Sequence, residues 1–254
     1  MDPKGRISKE RLDRLLVSQG LVSSREAAAR TVLAGGVLVN GVVVDKPAKL
    51  ISADARLEVE KVAPFVSRSG EKLAAALDSF QIDPQGKVGL DVGCSTGGFT
   101  DCLLQRGASH VYAVDVGYGQ FDWRLRQDPR VTLCERTNIR YVDCTVVPEP
   151  IDLAVIDVSF ISLTLVLPRV VSLLKEDMAT IVVLVKPQFE VGKGEVGRGG
   201  IVKDDAQRRT VTDKVIACAS QLGLHVIGVL DSPVHGRKGN REILVGFGRG
   251  EAAK

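Results

Sequence analysis

The stretch Asp91-Val-Gly-Cys-Ser-Thr-Gly-Gly-Phe99 determines the fold that the sequence predicts. It follows Lys87-Val-Gly-Leu90, a short run typical of a strand, and it precedes Thr100-Asp-Cys-Leu-Leu-Gln105, which is typical of the start of a helix. A strand, a glycine-rich loop and a helix in this order open the nucleotide site of doubly wound α/β domains. Because glycine has no Cβ, such a loop can turn tightly and bring its backbone close to a ligand.

The loop and the next strand together indicate which nucleotide is bound. The loop has the spacing Gly-x-Ser-x-Gly-Gly, which differs from the Gly-x-Gly-x-x-Gly of dinucleotide enzymes and lacks the Lys-Ser/Thr ending of a P-loop. One βα unit later, Val111-Tyr-Ala-Val-Asp115 ends in a carboxylate that can accept hydrogen bonds from ribose hydroxyls. These features favour S-adenosylmethionine (SAM) as the cofactor. Another nucleotide, or a plain structural turn, is the alternative.

The composition is that of a globular protein with one or two domains. With 254 residues, the chain can form one large domain or two of modest size. Its 44% hydrophobic and 26% charged residues are ordinary for a soluble globular protein, and a net charge of +3 gives only a weak general preference for anionic partners. The five cysteines are scattered and form no Cys-x-x-Cys pair, which predicts reduced thiols in the cytoplasm and no metal site. We find no secretory signal and no apolar run long enough to span a bilayer, so no membrane partner is expected.

The N-terminal part of the chain predicts two helices followed by a small β unit. Leucines at helical spacing lie within residues 10–20, and a capping box at Ser23–Glu26 precedes a second helix over residues 27–33. Asn40-Gly41 between two valine-rich runs is the strongest short signal for a β-hairpin. Residues 55–61 alternate apolar and polar side chains, as a further strand would.

These residues resemble a known RNA-binding domain. Seven basic and four acidic residues lie in positions 1–30, a pattern that a solvated helical face would explain as well as an RNA-binding surface. The motif Arg11-Leu-Asp-x-Leu-Leu…Gly20…Ser24-Arg25-x-x-Ala28…Gly36-x-Leu-Val-Asn-Gly41…Lys46-Pro47…Asp54 resembles the S4 domain. The resemblance implies a small α+β domain over residues 1–61 whose phosphate contacts set position and affinity rather than sequence choice. The residues expected to contact RNA are Arg6, Arg11, Arg14, Arg25, Arg30, Lys46 and Arg68.

The rest of the chain predicts an α/β domain over residues 68–250, after a linker at 62–67 and before a tail at 251–254. The predicted strands are 87–91, 111–115, 131–134, 152–157, 180–186, 225–230 and 242–247. The predicted helices are 71–80, 99–106, 120–127, 162–174 and 204–222. Apolar strands that alternate with helices indicate a sheet covered on both faces, here a mostly parallel, seven-stranded Rossmann-like sheet.

Three polar residues are predicted to meet at one edge of that sheet. Asp157 and Lys186 end two strands, and Glu242 opens the final strand, which reaches the same edge if it runs antiparallel. Ligands of doubly wound sheets bind at this edge. Polar strand ends are common, so each residue alone has an ordinary structural explanation, but together with the glycine loop they favour an active site. Lys72 lies in the first turn of a predicted helix, where the helix dipole disfavours a cation.

Lys72, Asp157, Lys186 and Glu242 match, in order, the Lys-Asp-Lys-Glu tetrad of FtsJ-like (RrmJ-type) ribose 2′-O-methyltransferases. The wider sequence resembles one branch, the TlyA or haemolysin A-like family, which joins an S4 domain to a SAM domain. The segments that carry this resemblance include Ser67-Arg-Ser-Gly-Glu-Lys72, Ala113-Val-Asp-Val-Gly-Tyr-Gly-Gln120, Glu135-Arg-Thr-Asn138, Asp157-Val-Ser-Phe160, Lys186-Pro-Gln-Phe-Glu190 and Gly199-Gly-Ile-Val-Lys203. The resemblance implies 2′-O-methylation of cytidine in 23S ribosomal RNA and, in some members, in 16S ribosomal RNA.

The same resemblance gives the residues expected roles. Lys186 is the expected general base for the ribose hydroxyl, provided that desolvation and the Lys72 cation favour its neutral form. Asp157 would orient Lys186 but opposes its deprotonation, so a purely orienting role is the alternative. Glu242 and Lys72 would hold the ribose and the second lysine. The residues expected to contact SAM are Asp91, Gly93, Cys94, Ser95, Gly97, Gly98, Phe99, Asp115, Val116, Thr137, Asn138 and Asp157.

Three other functions fit parts of the sequence. A ribosome-assembly factor with an inactive SAM-like domain would not need the intact tetrad. A membrane-active haemolysin would need an amphipathic helix with a broad apolar face or an apolar span, and the sequence offers neither. A pseudouridine synthase fused to an S4 domain would have a different catalytic fold, without the glycine loop.

Overall fold

The computed structural model describes residues 9–33, 35–59, 64–192, 201–202, 204–234, 236 and 239–250. The chain divides into two compact units between Ala63 and Pro64. The described part of the first unit contains α1 (Leu12–Ser18), α2 (Arg25–Leu33), β1 (Lys9–Arg11), β2 (Val37–Val39), β3 (Val42–Val43), β4 (Leu50–Ser52) and β5 (Leu57–Val59). Strands β3, β2 and β5 form an antiparallel sheet in that order, and β1 pairs with β4.

The first unit folds around the apolar faces of its two helices. Leu12, Leu16, Ala28 and Val32 are fully buried and pack with residues of the strands. The predicted hairpin is confirmed: Asn40 and Gly41 have φ values of 53° and 79°, which a type I′ turn requires. The predicted start of the first helix was wrong, because residues 9–11 form β1 by pairing with residues 50–52.

The second unit is built on a seven-stranded sheet. Its strands are β6 (Val88–Val92), β7 (His110–Val114), β8 (Val131–Cys134), β9 (Leu153–Ile156), β10 (Thr180–Val185), β11 (Leu224–Asp231) and β12 (Ile243–Arg249). Its helices are α3 (Ser69–Ser79), α4 (Gly98–Gln105), α5 (Trp123–Arg126), α6 (Leu167–Leu173), α7 (Pro187–Glu190) and α8 (Asp205–Gln221). The strand order is β11-β12-β10-β9-β6-β7-β8; β12 is antiparallel to β11 and to β10, and the other neighbouring pairs are parallel. The predicted mostly parallel Rossmann-like sheet is confirmed.

Helices cover both faces of the sheet, as its alternation of side chains requires. In β9, Leu153 and Val155 belong to one apolar cluster with side chains of α3 and α4, whereas Ala154 and Ile156 belong to a second cluster with α6 and α8. Because successive side chains of a strand point to opposite faces, these are the two faces of one sheet. Helix α7 was not predicted, since four residues are too few to show a helical period.

The sheet topology brings distant parts of the chain to one edge. Val183 of β10 pairs with Ile156 of β9, and Val185 pairs with Ile243 of β12. The residues that follow β9 and β10 and the residue that precedes β12 therefore lie side by side. The loop after β6 reaches the same edge, because β6 pairs in parallel with β9.

Candidate active site

Lys186 and Asp157 form an ion pair at the carboxyl ends of β10 and β9. The Nζ of Lys186 lies 2.6 Å from Oδ1 of Asp157, and it donates a hydrogen bond of 2.9 Å to Oγ of Ser159. Both charged side chains are mostly buried. The contact with Ser159 is a hydrogen bond, whereas the contact with Asp157 is an ion pair in which Oδ1 accepts no hydrogen bond from a described residue.

Lys72 and Glu242 form a second, more deeply buried pair. The Nζ of Lys72, in the first turn of α3, lies 2.5 Å from Oε2 of Glu242, which immediately precedes β12. The two side chains are only 10% and 3% exposed. A lysine that is unfavourable for its own helix dipole is thus stabilised by a carboxylate from the far end of the sequence.

All four tetrad residues line one cavity of about 710 Å³. The cavity is also lined by residues of the glycine loop and of the two strand ends beyond it. Those predicted to contact SAM are Gly93, Ser95, Asp115, Val116, Thr137 and Asn138. The structure thus places the tetrad and the predicted cofactor residues around one space, large enough for a nucleotide.

Asp115 holds the glycine loop in place through hydrogen bonds to backbone N–H groups. One carboxylate oxygen of Asp115 accepts the backbone N–H of Ser95 at 2.8 Å, and the other accepts the N–H of Gly117 at 2.6 Å. Gly93 has φ of 84°, and a Cβ at this position would lie 2.6 Å from the carbonyl oxygen of Asp157. Only glycine lets the loop turn here and approach the neighbouring strand end so closely.

Five of the residues predicted to contact SAM do not line this cavity. They are Asp91, Cys94, Gly97, Gly98 and Phe99. Phe99 is 2% exposed and packs in the apolar cluster under α3 and α4, while Gly97 and Gly98 form the start of α4. The sequence pattern locates the loop but does not distinguish residues that face the cavity from residues that anchor the loop to the core.

Asp91 is a buried carboxylate with an incomplete set of partners. Its Oδ2 accepts hydrogen bonds from the backbone N–H and the hydroxyl of Thr100, at 2.9 and 2.7 Å, whereas its Oδ1 is buried without a hydrogen-bond partner among the described residues. Burial raises the pKa of Asp91 to about 7, against the opposing effect of the Thr100 hydroxyl. An unpartnered oxygen under the glycine loop is suited to accept a charged donor from a bound ligand.

Ser159 contacts Lys186 but is not among the predicted site residues. Ser159 lies two residues beyond Asp157 in the loop after β9, and both side chains contact Lys186. That spacing was the available signal. Phe160, Gln188 and Phe189 also line the cavity, and the rings of Phe160 and Phe189 are 4.9 Å apart.

Some of the residues predicted to contact RNA already form ion pairs within the protein, and others do not. Arg14, Lys46 and Arg68 are exposed and form no ion pair with another described residue. Arg11 binds the buried Asp13 through two hydrogen bonds of 3.0 and 2.7 Å, and exposed Arg25 lies 3.4 Å from the same carboxylate. The guanidinium of Arg11 lowers the pKa of Asp13 to about 2. Arg6 and the side chain of Arg30 lie outside the described residues.

No helix among the described residues is long and apolar enough to cross a membrane. The second unit thus contains a nucleotide-sized cavity with two buried ion pairs, and the first unit presents exposed basic side chains.

The comparisons with known proteins agree with this division. An FtsJ-like methyltransferase family model matches residues 65–249, and an S4 domain model matches residues 10–57. The 16S/23S rRNA (cytidine-2′-O)-methyltransferase TlyA of Mycobacterium tuberculosis (strain H37Rv) is 48% identical over 93% of this chain and 89% of its own length, and Hemolysin A of Brachyspira hyodysenteriae is 41% identical over 81% and 85%. A solved structure from Streptococcus thermophilus, provisionally described as a hemolysin, is 41% identical, with a TM-score of 0.73 over 97% of this chain and 90% of that chain. The chain therefore belongs to the TlyA family of FtsJ-like methyltransferases, in which an S4 domain precedes the methyltransferase domain.

Proposed function

We propose that the chain transfers a methyl group from SAM to the 2′-hydroxyl of a cytidine in 23S ribosomal RNA. The observation that carries this proposal is the convergence of Lys72, Asp157, Lys186 and Glu242 on one cavity with the glycine loop. A 48% identical relative named for cytidine 2′-O-methylation of 16S and 23S ribosomal RNA supports it. A ribosomal substrate also implies a cytoplasmic location.

The residues fit SAM on three independent features. Gly93 lets the loop approach the end of β9 closely, Asp115 stands at the end of β7 beside the loop, and Oδ1 of Asp91 is buried without a hydrogen-bond partner among the described residues. SAM supplies a methyl group bonded to a positively charged sulfur, which makes that methyl electrophilic. We assign Asp115 to the ribose hydroxyls, Thr137 and Asn138 to the adenine, and Asp91 to the amino group.

The tetrad would prepare the hydroxyl that attacks. Asp157 and Ser159 hold the head of Lys186, and its ammonium group has further protons that can point to the ribose oxygen. Alignment of the attacking oxygen can supply several kcal/mol of the barrier. Lys72 is neutralised by Glu242, so this pair holds the ribose without adding a net charge to the site.

Whether Lys186 removes the proton or only orients the hydroxyl is decided by the dependence of kcat on pH. A lysine that removes the proton must act in its neutral form. The rate would then rise tenfold per pH unit until the neutral form predominates. A flat profile between pH 6 and 9 assigns Lys186 to orientation alone.

The first unit would position the enzyme on the folded RNA of the ribosome. Exposed Arg14 and Lys46 are suited to phosphate oxygens, which fix register without reading sequence. Arg68, which directly precedes α3, places a further basic side chain one turn before Lys72. The cytidine would therefore be selected by the fold of the RNA around it rather than by a base sequence.

The test is transfer of labelled methyl from SAM to isolated 30S, 50S and 70S particles. We expect label in 23S RNA, and label in 16S RNA as well would extend the range to both subunits. Lys186→Ala should bind SAM as the wild type does and transfer nothing. Near-normal turnover of that variant would refute the assignment of the tetrad.

Two related proteins carry a hemolysin name, and this makes membrane lysis a second candidate function. Leakage of a dye from liposomes tests it directly, with Lys186→Ala as control. Equal leakage by both proteins would show a lytic activity separate from methyl transfer, and no leakage above the protein-free rate would remove this candidate.

A further inference from the structure

We propose that Glu190 is a positioning residue for the methyl-transfer reaction, which acts by holding Lys186 and Asp157 in register. The proposal rests on the function proposed above. Glu190 closes α7, four residues after Lys186, and its carboxylate is 5% exposed. It does not line the cavity, so any effect on the reaction must act through other residues.

The carboxylate of Glu190 ties together the two segments that carry the catalytic pair. Its Oε1 accepts the buried backbone N–H of Leu163 at 2.7 Å, and its Oε2 accepts the hydroxyl of Ser162 at 2.6 Å. Ser162 and Leu163 follow the segment that begins at Asp157. Both carboxylate oxygens therefore bind the chain after β9, while the helix that bears Glu190 continues the chain after β10.

The cavity side of the same two segments has two further links. Lys186 contacts Asp157 and Ser159, and the ring of Phe160 lies 4.9 Å from the ring of Phe189. The two segments are thus joined by an ion pair and a ring contact in the cavity and by Glu190 behind it. Removal of Glu190 would leave the two segments joined by the contacts of Lys186 and by the ring contact alone.

The backbone after Asp157 needs such a support. Phe160 has φ of 64°, a left-handed conformation that is strained for a bulky side chain. A residue persists in this region only when its surroundings over-determine it. The hydrogen bonds of Glu190 begin two residues later and tie this part of the chain to α7.

A purely structural role would predict loss of stability alone, and the chain offers a matched control. Asp152 is also a carboxylate that joins two strands, because it accepts the backbone N–H of Val88 at 2.9 Å and pairs with Lys175. It precedes β9 and therefore lies at the opposite edge of the sheet from the cavity. Asp152→Asn should lower the melting temperature and leave kcat unchanged.

The experiment compares steady-state methyl transfer to 50S particles by full-length wild type, Glu190→Ala, Glu190→Gln, Ser162→Ala and Asp152→Asn. We expect Glu190→Ala to lower kcat about 100-fold, with the KM for particles and the Kd for SAM within about threefold of wild type, because misplacement by about 1 Å costs this much. Glu190→Gln should restore kcat to within about fivefold, since its amide oxygen can accept from Leu163 and its NH₂ can donate to Ser162.

Three results would contradict the positioning role of Glu190. A kcat of Glu190→Ala equal to that of Asp152→Asn at a similar loss of melting temperature would overturn it, as would a Glu190→Gln variant no better than Glu190→Ala. If Glu190→Ala does not fold, Ser162→Ala decides, since it removes one hydroxyl and keeps the Leu163 contact. We then expect kcat to fall about tenfold, and an unchanged kcat refutes the proposal. An inactive wild type would instead refute the proposed function.

Discussion

Lys72 and Glu242 stand 170 positions apart in the chain and meet in a buried ion pair of 2.5 Å. Removal of one partner leaves an uncompensated buried charge, whereas replacement of both by apolar side chains of similar size removes the charge problem altogether. Substitution of both residues together can therefore test function with little loss of stability, which a substitution of one residue cannot.

We expect Lys72→Met and Glu242→Leu each to lower the unfolding free energy by about 3 kcal/mol or more. The double variant should recover most of that loss, yet transfer no methyl group, because the pair also holds the ribose. Urea unfolding followed by far-UV circular dichroism, together with the transfer assay, checks both parts. An active double variant would show that the pair is structural only.

Gly93 should be irreplaceable for a steric reason that a second glycine does not share. Gly93 and Gly86 have similar φ values of 84° and 71°, but a Cβ at Gly93 would lie 2.6 Å from the carbonyl oxygen of Asp157, whereas a Cβ at Gly86 meets nothing within 4 Å. Gly93→Ala should abolish SAM binding in isothermal titration. Gly86→Ala bears the same backbone strain, about 1 kcal/mol, and should bind SAM normally. Equal behaviour of the two variants would contradict the close approach.

The buried carboxylate of Asp91 should lower the stability of the fold at neutral pH, while its charge should favour the binding of SAM. Because burial raises its pKa to about 7, the folded state holds a proton that the unfolded state releases near pH 4. The unfolding free energy should therefore fall as pH rises from about 4 to 7 and level off above, by at most about 4 kcal/mol.

Asp91→Asn removes this titration and keeps an acceptor for Thr100. We expect the variant to be at least as stable as wild type at pH 8, and to bind SAM at least about tenfold more weakly because it has lost the charge opposite the amino group. Urea unfolding at pH 5 and pH 8 and titration with SAM measure the two effects. A variant that binds SAM as tightly as wild type would remove Asp91 from the cofactor site.

The first unit allows a charge-matched test of RNA binding. Arg14 is exposed without an ion pair among the described residues, and Arg56 is an exposed arginine 3.3 Å from Glu58 that we do not assign to RNA. Arg14→Ala should weaken binding to 50S particles and reduce the slope of log K against log salt by about one, since one phosphate contact is lost. Arg56→Ala loses the same charge and should change neither. Equal effects would mean that only net charge matters.

The sequence predicted the parts of this molecule that depend on local patterns. Apolar strands bounded by glycine loops placed the sheet, and Asn40-Gly41 placed the hairpin. Polar residues at strand ends converge as expected, because the ends of parallel strands share one edge.

The sequence did not predict what depends on contacts between distant segments. Strand β1 forms because residues 50–52 pair with it, and nothing within residues 9–11 signals a strand. Cys94 and Phe99 belong to the glycine motif but are buried in the apolar cluster that includes side chains of α3 and α4, and that orientation is set by packing. Glu190 resembles any surface glutamate in sequence, and its burial follows from the chain after β9 folding over it.

The central claim is that the methyl group goes to a ribose oxygen and not to a base. A 2′-O-methyl group removes the hydroxyl that alkali needs to cleave the next phosphodiester bond. We would therefore treat labelled 23S RNA from 50S particles with alkali and separate the products. We expect the label in a dinucleotide that begins with cytidine, and no label with Lys186→Ala. Label recovered in mononucleotides would contradict the central claim, because the methyl group would then be on a base.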